Sequence, residues 1–197
     1  MSDLMSYAAA LEGRASAGGL PPVERWDPPY CGELDLVIRR DGTWIHEGTP
    51  IGRARLVRLF STILKREGGR YFLVTPVEKL GIEVEDAPFL AVLMRAEGQG
   101  DQRRLVFTTN VGEEIAAGPD REIVFRPSPA TGETAPYLRV RDDLWALVAR
   151  AVYYDLVALG ETRHTPDGPV MGVASGGAFF PFAPAQADAV ISNERAP

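Results

Sequence analysis

Three sets of polar residues in this chain could do chemistry. The densest is Thr75-Pro76-Val77-Glu78-Lys79, with Glu83, Glu85 and Asp86 close behind it, so that acids crowd a single lysine between apolar stretches. Carboxylates sharing a pocket can act as acid and base, yet Glu85 and Asp86 are adjacent, and neighbours on a strand point to opposite faces. The same string also reads as a solvated edge strand and turn, in which Pro76, Pro88 and the charges discourage pairing with another chain. The second set is Thr108-Thr109-Asn110 with Gly112. Short hydrogen-bonding side chains on a flexible backbone suit either a ligand or a turn. The third set is Arg139, Arg141, Arg150 and Tyr154, in which Arg150 and Tyr154 lie one helical turn apart. Guanidinium groups suit phosphate or carboxylate. Asp142, Asp143 and Asp155 would equally neutralise these arginines as solvated ion pairs.

The sequence holds no G-x-x-x-x-G-K-[ST], no G-x-G-x-x-G opening a helix and no G-x-S-x-G, so the common phosphate cradle, dinucleotide turn and nucleophile elbow are missing. Cys31, His46 and His164 lack the spacing of a metal site. No catalytic residue, metal ligand or cofactor is assigned. Arg53, Arg55, Arg58, Lys65 and Arg66 form a basic stretch ahead of the acidic one from Glu78 to Asp86. Mutual neutralisation would account for both; an anionic partner would account for the basic half alone.

The composition is that of a folded chain with a substantial core: 197 residues, 45% hydrophobic and 24% charged. A net charge of -6 argues against binding to duplex nucleic acid, which needs many phosphates neutralised. The single Cys31 cannot form an internal disulfide, which fits a reducing cytoplasm. Glu12 and Arg14 interrupt the apolar start, so no signal peptide is expected, and no apolar run approaches the roughly 20 residues needed to cross a bilayer.

The elements that would position these side chains follow from periodicity. Leu34, Leu36 and Ile38 alternate with polar neighbours, Asp41-Gly42 signals a type I′ turn, and Thr43 to His46 completes a hairpin. Leu56, Leu59, Phe60, Ile63 and Leu64 have helical spacing and predict a helix ended by Gly68-Gly69. Strands are expected over 71–75, 77–84, 89–94, 105–108, 122–125 and 137–140, those after Phe89 as an antiparallel meander. Leu144, Leu147, Val148, Ala151, Val152 and Leu156 predict a second helix, with Asp142-Asp143 at its start and Gly160 at its end. Shifting the chain by 88 residues lays Leu56, Leu59 and Phe60 over Leu144, Leu147 and Val148, a hint of duplication. His164 to Gly168 reads as a loop, and Met171 to Phe182 as an extended aromatic segment packed back on the body. From Ala183 the tail should fray.

Several strings together resemble an uncharacterised bacterial family, domain of unknown function 1285. They are Tyr71-Phe72-Leu73-Val74-Thr75-Pro76-Val77-Glu78-Lys79, Val84-Glu85-Asp86-Ala87-Pro88-Phe89, Thr109-Asn110-Val111-Gly112, Pro136-Tyr137-Leu138-Arg139-Val140-Arg141 and Gly176-Gly177-Ala178-Phe179-Phe180-Pro181. The resemblance implies an α+β fold of two subdomains with a repeated strand-helix-strand motif. The C-terminal one would be a bent antiparallel sheet closed by a helix, like a pleckstrin-homology fold. The expected division is an extended lead-in over 1–29, subdomains over 30–83 and 84–185, and a flexible tail over 186–197. The resemblance also implies a cleft between the subdomains and a part in signal transduction. Carried onto this chain, the cleft residues are Thr75, Glu78, Lys79, Glu85, Asp86, Thr109, Asn110, Arg141, Arg150 and Tyr154. Arg141, Arg150 and Lys79 would meet an anion, Thr109 and Asn110 would exchange hydrogen bonds, and Tyr154 would stack on a base.

The function expected is that of a non-enzymatic, cytoplasmic sensor binding a nucleotide-like small molecule between its subdomains, with no membrane partner. One alternative is a protein-interaction module presenting Phe179-Phe180-Pro181-Phe182. A second is a metal-assisted hydrolase using Glu78, Glu85 or Asp86.

Overall fold

A computed structural model of the chain describes residues 20–166 and 168–182. The expectations about the leader, the fraying after Ala183 and the tail over 186–197 fall outside those residues. Of the lead-in, a short 3-10 turn at Val23–Arg25 anchors the entry by burying Val23, and Lys65 Nζ donates to the Trp26 carbonyl at 3.2 Å.

The first sheet comprises β1 (Tyr30–Ile38), β2 (Trp44–His46), β3 (Thr49–Pro50), β4 (Leu64–Glu67), β5 (Arg70–Val74) and β6 (Lys79–Val84), in the order β3-β2-β1-β6-β5-β4. The predicted β1–β2 hairpin forms, but its turn is not type I′, because that turn needs positive φ at both central residues and here only Gly42 has it, at 83°. Arg39 and Thr43 instead close a three-residue loop, N–H to O at 2.8 Å, with Gly42 in the left-handed position. The first helix is shorter than its apolar spacing suggests: α1 runs Ala54–Ser61. Ser61 and Thr62 turn their hydroxyls back onto the carbonyls of Arg58 and Leu59, at 2.8 and 2.7 Å, and so end the helix. Ile63 and Leu64 then enter the strand region, and Gly68-Gly69, with φ of 56° and 83°, makes the type I′ turn of the β4–β5 hairpin rather than a helix stop.

The second sheet comprises β7 (Phe89–Glu97), β8 (Arg104–Thr109), β9 (Glu114–Ala116), β10 (Ile123–Pro127), β11 (Thr134–Arg141) and β12 (Leu144–Val148), ordered β9-β8-β7-β12-β11-β10 from one edge to the other. It is not a simple meander, since β7 and β12 pair in parallel. Leu144 to Val148 is a strand, not the start of a helix, because Trp145 and Ala146 are as buried as the residues at helical spacing. A continuous apolar run buried on both faces of a sheet carries the same i, i+3, i+4 positions as a helix. Asp142-Asp143 is therefore the β11–β12 turn. The helix begins later, as α2 (Arg150–Ala158), burying Val152 and Leu156.

A third, three-stranded sheet follows: β13 (Glu161–Thr165), β14 (Gly168–Ser175) and β15 (Ala178–Pro181). The expected loop near His164 is thus mostly strand. The aromatic segment packs onto the body: Phe180 is buried and Phe182 meets Phe125 with ring centroids 5.6 Å apart. Phe179 and Phe182 are half-buried and Pro181 is exposed, so the segment is only partly open to solvent.

The class is α+β with strands predominating. The two six-stranded sheets have one topology: outward from a parallel central pair, β1 with β6 or β7 with β12, each side adds antiparallel strands in the same sequence. The duplication is real in strand order, but the helices do not superpose in it. α1 lies between β3 and β4, whereas α2 follows β12. One continuous core runs from Leu36, Trp44 and Phe60 through Phe107 and Leu138 to Val173 and Phe180. Among the described residues no helix is long and apolar enough to span a membrane.

Phe180→Ala should lower unfolding stability by about 3 kcal/mol or more, since it empties a core position shared by the second and third sheets. Phe179→Ala, at a half-buried position, should cost clearly less. Urea unfolding with an unchanged m-value checks both.

Candidate functional site

The short link between β6 and β7 carries Glu85 and Asp86, and its chemistry is structural. Glu85 is exposed and accepts the backbone N–H of Arg40 at 2.9 Å, while Asp86 turns inward, as adjacent residues on an extended chain must. The Asp86 carboxylate is fully buried, and it accepts from Arg40 Nε at 3.0 Å, from Tyr137 Oη at 2.6 Å and from the Ser128 hydroxyl. Burial, helped by the hydrogen bond to Asp86, pushes the Tyr137 phenol from 10.0 up to about 12. A carboxylate so occupied holds the β1–β2 turn, the end of β10 and the middle of β11 to one point.

Two more of the expected site residues are spokes of the same seam. Asn110 Nδ2 donates to the Gly42 carbonyl at 3.1 Å, and its Oδ1 accepts from the Leu90 N–H at 3.0 Å. The approach is so close that a Cβ at Gly42 would lie 2.7 Å from Asn110 Nδ2. Arg141 pairs with Glu113 at 2.8 Å, donates to the Ser61 carbonyl at the end of α1, and lies over the Phe89 ring at 5.1 Å. Thr109 closes the β8–β9 turn, its hydroxyl accepting from the Glu113 N–H at 3.0 Å. Each is taken up by other residues of the seam, Thr109 and Arg141 both on Glu113.

The remaining expected residues are elsewhere. Thr75 is buried and organises the β5–β6 turn, its Oγ1 accepting from the Glu78 N–H at 3.2 Å. Lys79 pairs with Glu67 at 2.8 Å, beside a second pair from Lys65 to Glu67. Thr75, Glu78 and Lys79 thus sit at the end of β6 opposite Glu85 and Asp86, roughly 20 Å away by strand rise. Arg150 and Tyr154 do pair one turn apart on α2, Nε to Oη at 3.1 Å, but on an exposed face. The ten residues do not form one cleft.

What opens between the subdomains is a crevice of about 330 Å³ beside this seam, lined by Gly42, Ala54, Arg55, Val57, Arg58 and the Asn110-Val111 pair. Val57 and Val111 give it an apolar lining, and Arg55 and Arg58 give it basic groups. α1 starts at Ala54 without a side-chain cap; the Arg53 carbonyl accepts from Leu56 and Val57, and among the described residues nothing accepts from the N–H groups of Ala54 and Arg55. No carboxylate pairs with Arg53, Arg55 or Arg58 among the described residues; Arg58 reaches only the Gly112 carbonyl, at 3.5 Å. The basic stretch and the acidic stretch therefore do not neutralise one another. Sequence reasoning marked these arginines as a charge run and passed over them as site residues, although their i, i+3 spacing on a helix start was the available signal. A wider groove on the first sheet, about 490 Å³, runs past Glu33, Asp35, Arg70 and Glu83, but Glu33 there already holds Tyr30 and Arg70. Among the described residues no three His, Cys, Asp or Glu side chains converge as metal ligands.

Comparison with known proteins places this architecture. The profile described as "Domain of unknown function (DUF1285), N-terminal domain" matches residues 21–87, and "Protein of unknown function (DUF1285), C-terminal domain" matches residues 88–182. A DUF1285 family protein from Silicibacter pomeroyi DSS-3 has a similar crystal structure: TM-score 0.82, 49% identity, over 92% of this chain and 94% of that one. A second, from Shewanella baltica OS155, is similar at TM-score 0.50 and 29% identity, over 64% of this chain and 91% of that one. No curated protein matches the chain.

Asp86→Ala strands the buried Tyr137 and Ser128 hydroxyls and should cost about 3 kcal/mol or more in denaturant unfolding. Because the folded-state pKa of Tyr137 is raised, its contribution is complete below pH 10.0 and is lost as pH rises through about 12. Alkaline stability should fall across that window, and Tyr137→Phe should flatten the fall. An unchanged slope would show that the phenol does not titrate with folding.

Proposed function

This chain belongs to the DUF1285 family, and on that premise we propose that it is a non-enzymatic regulatory protein holding a small nucleotide-like anion in the crevice between its subdomains. The observation that supports this reading is the separation of charge: Glu85 and Asp86 are occupied in holding the seam, while Arg55 and Arg58 face an open crevice with no carboxylate partner among the described residues. The volume suits a compact ligand, at the small end of the range of about 300 to 1,000 Å³ typical of such sites. Guanidinium groups and free N–H groups at a helix start both favour phosphate, and the valines offer an apolar face to a base.

The mechanism is a change of state rather than a reaction. The crevice is bounded by α1 and the β1–β2 turn on one side and by the β8–β9 turn on the other, so a ligand touching both biases how the subdomains sit. A partner protein reading that change would complete a signalling step. The strand-then-helix order from β7 to α2 keeps the likeness to a pleckstrin-homology unit within this reading, and an unpaired exposed Cys31 suits the cytoplasm.

Adenosine diphosphate should raise the melting temperature in a concentration-dependent way, and Arg55→Gln with Arg58→Gln should weaken its binding by about tenfold or more while leaving the ligand-free melting temperature nearly unchanged. Arg141→Ala, by contrast, should lower that melting temperature, because Arg141 joins Glu113 to α1. If the double variant is stabilised by the nucleotide as much as the parent is, the crevice is not the site.

A further inference from the structure

The repeated strand order sets up a second joint like the first. At the first joint the β8–β9 turn inserts Asn110 against the β1–β2 turn at Gly42, beside the connection that follows β3. Six strands further along, the counterparts are the β7–β8 turn and the connection that follows β9. There the β14–β15 turn inserts in the same manner: the Gly176 N–H donates to the Arg103 carbonyl at 2.9 Å. The fit is again backbone-close, since a Cβ at Gly176 would lie 2.9 Å from the Ala117 carbonyl oxygen.

The two joints differ in what fills the connection. After β3 the chain makes α1; after β9 it makes only the turn from Gly118 to Arg121, closed by paired N–H to O bonds of 3.1 and 3.0 Å. Where a helix is missing the surface stays hollow, and a concavity of about 570 Å³ opens there, lined by Arg104, Ala116, Gly118, Asp120, Arg121 and Gly176. Three of its charges are uncommitted. Glu114, also on its wall, is taken by both ends of Arg95, at 2.6 and 3.1 Å. Among the described residues neither Arg104, Arg121 nor Asp120 has an ion pair or side-chain hydrogen bond.

We propose that this hollow is a second ligand site, equivalent by duplication to the first crevice and open to a phosphate-bearing, hydroxyl-rich metabolite of the nucleoside diphosphate class. Arg104 and Arg121 supply the guanidinium groups for the phosphates. Asp120 accepts from the sugar hydroxyl and base amino groups that a nucleoside adds to its phosphates. The floor of Ala116, Gly118 and Gly176 has no large side chain, so a flat ring can approach the backbone. The ligand class is taken over from the first crevice, so that part rests on the preceding reading; the site itself is tested apart from it.

The test is amide NMR of the full chain titrated with adenosine diphosphate and, separately, with pyrophosphate. The amides of Gly118, Asp120, Arg121 and Gly176 should shift with one dissociation constant and those of Gly42, Val57 and Val111 with another. Arg104→Gln with Arg121→Gln should weaken the first set by about tenfold or more, leaving the second set unmoved. Adenosine diphosphate should bind the first set more tightly than pyrophosphate does, and Asp120→Asn should narrow that difference. Shifts in the first set alone would uphold the second site and end the preceding reading. Shifts in the second set alone, or binding indifferent to the double substitution, would overturn the second site.

Discussion

A buried carboxylate must have donors, and at Asp86 that requirement organises the molecule. The residue sits in the link between two sheets, fully removed from solvent, and its oxygens are met by a guanidinium from the first sheet and by two hydroxyls from the second. An uncompensated charge in such a place would cost several kcal/mol, so the arrangement of the two sheets is tied to bringing Arg40, Ser128 and Tyr137 to the same point. The other seam contacts repeat the principle with smaller stakes. Asn110 satisfies Leu90 and Gly42 together, Arg141 joins Glu113 to the end of α1, and Arg66 crosses to Asp143 at 2.7 Å.

This economy of charge decides where a ligand can go. Groups recruited to hold the seam have no capacity left, so binding capacity survives where arginines lack acids. That condition holds at the start of α1 and at the hollow beside Arg104 and Arg121. Asp86, the most deeply buried of the acids suggestive of catalysis, is thus committed to stability, and Arg53, Arg55 and Arg58 are the more open chemically.

The duplicated strand order gives the fold its logic. Each six-stranded sheet has a parallel central pair that no short hairpin could join, and the chain reaches it by adding antiparallel strands outward on both sides. Each sheet is then gripped at its first turn by a turn of the unit that follows, Asn110 on Gly42 and Gly176 on Arg103. The first unit carries its helix after its third strand and the second after its sixth, so what covers each sheet differs while the order of its strands does not.

Much was legible from the residues. Alternation marked β1, β-prone runs between turn signals marked β5, β6, β7, β8, β10 and β11, Pro76 marked a turn, and the five strings quoted above carried the family resemblance. Local rules failed where two structures share one pattern. Leu144 to Val148 has helical spacing but is a strand, because burial on both faces makes every position apolar; Gly68-Gly69 closes a hairpin, because Ser61 and Thr62 had already ended the helix. Residue types alone also set the supply of charge and the absence of common catalytic motifs. Only the tertiary structure decided which charges meet. Whether Asp86, Asn110 and Arg141 bind a guest or their neighbours in the seam depends on contacts between residues tens of positions apart, and a one-dimensional pattern holds no record of such distances.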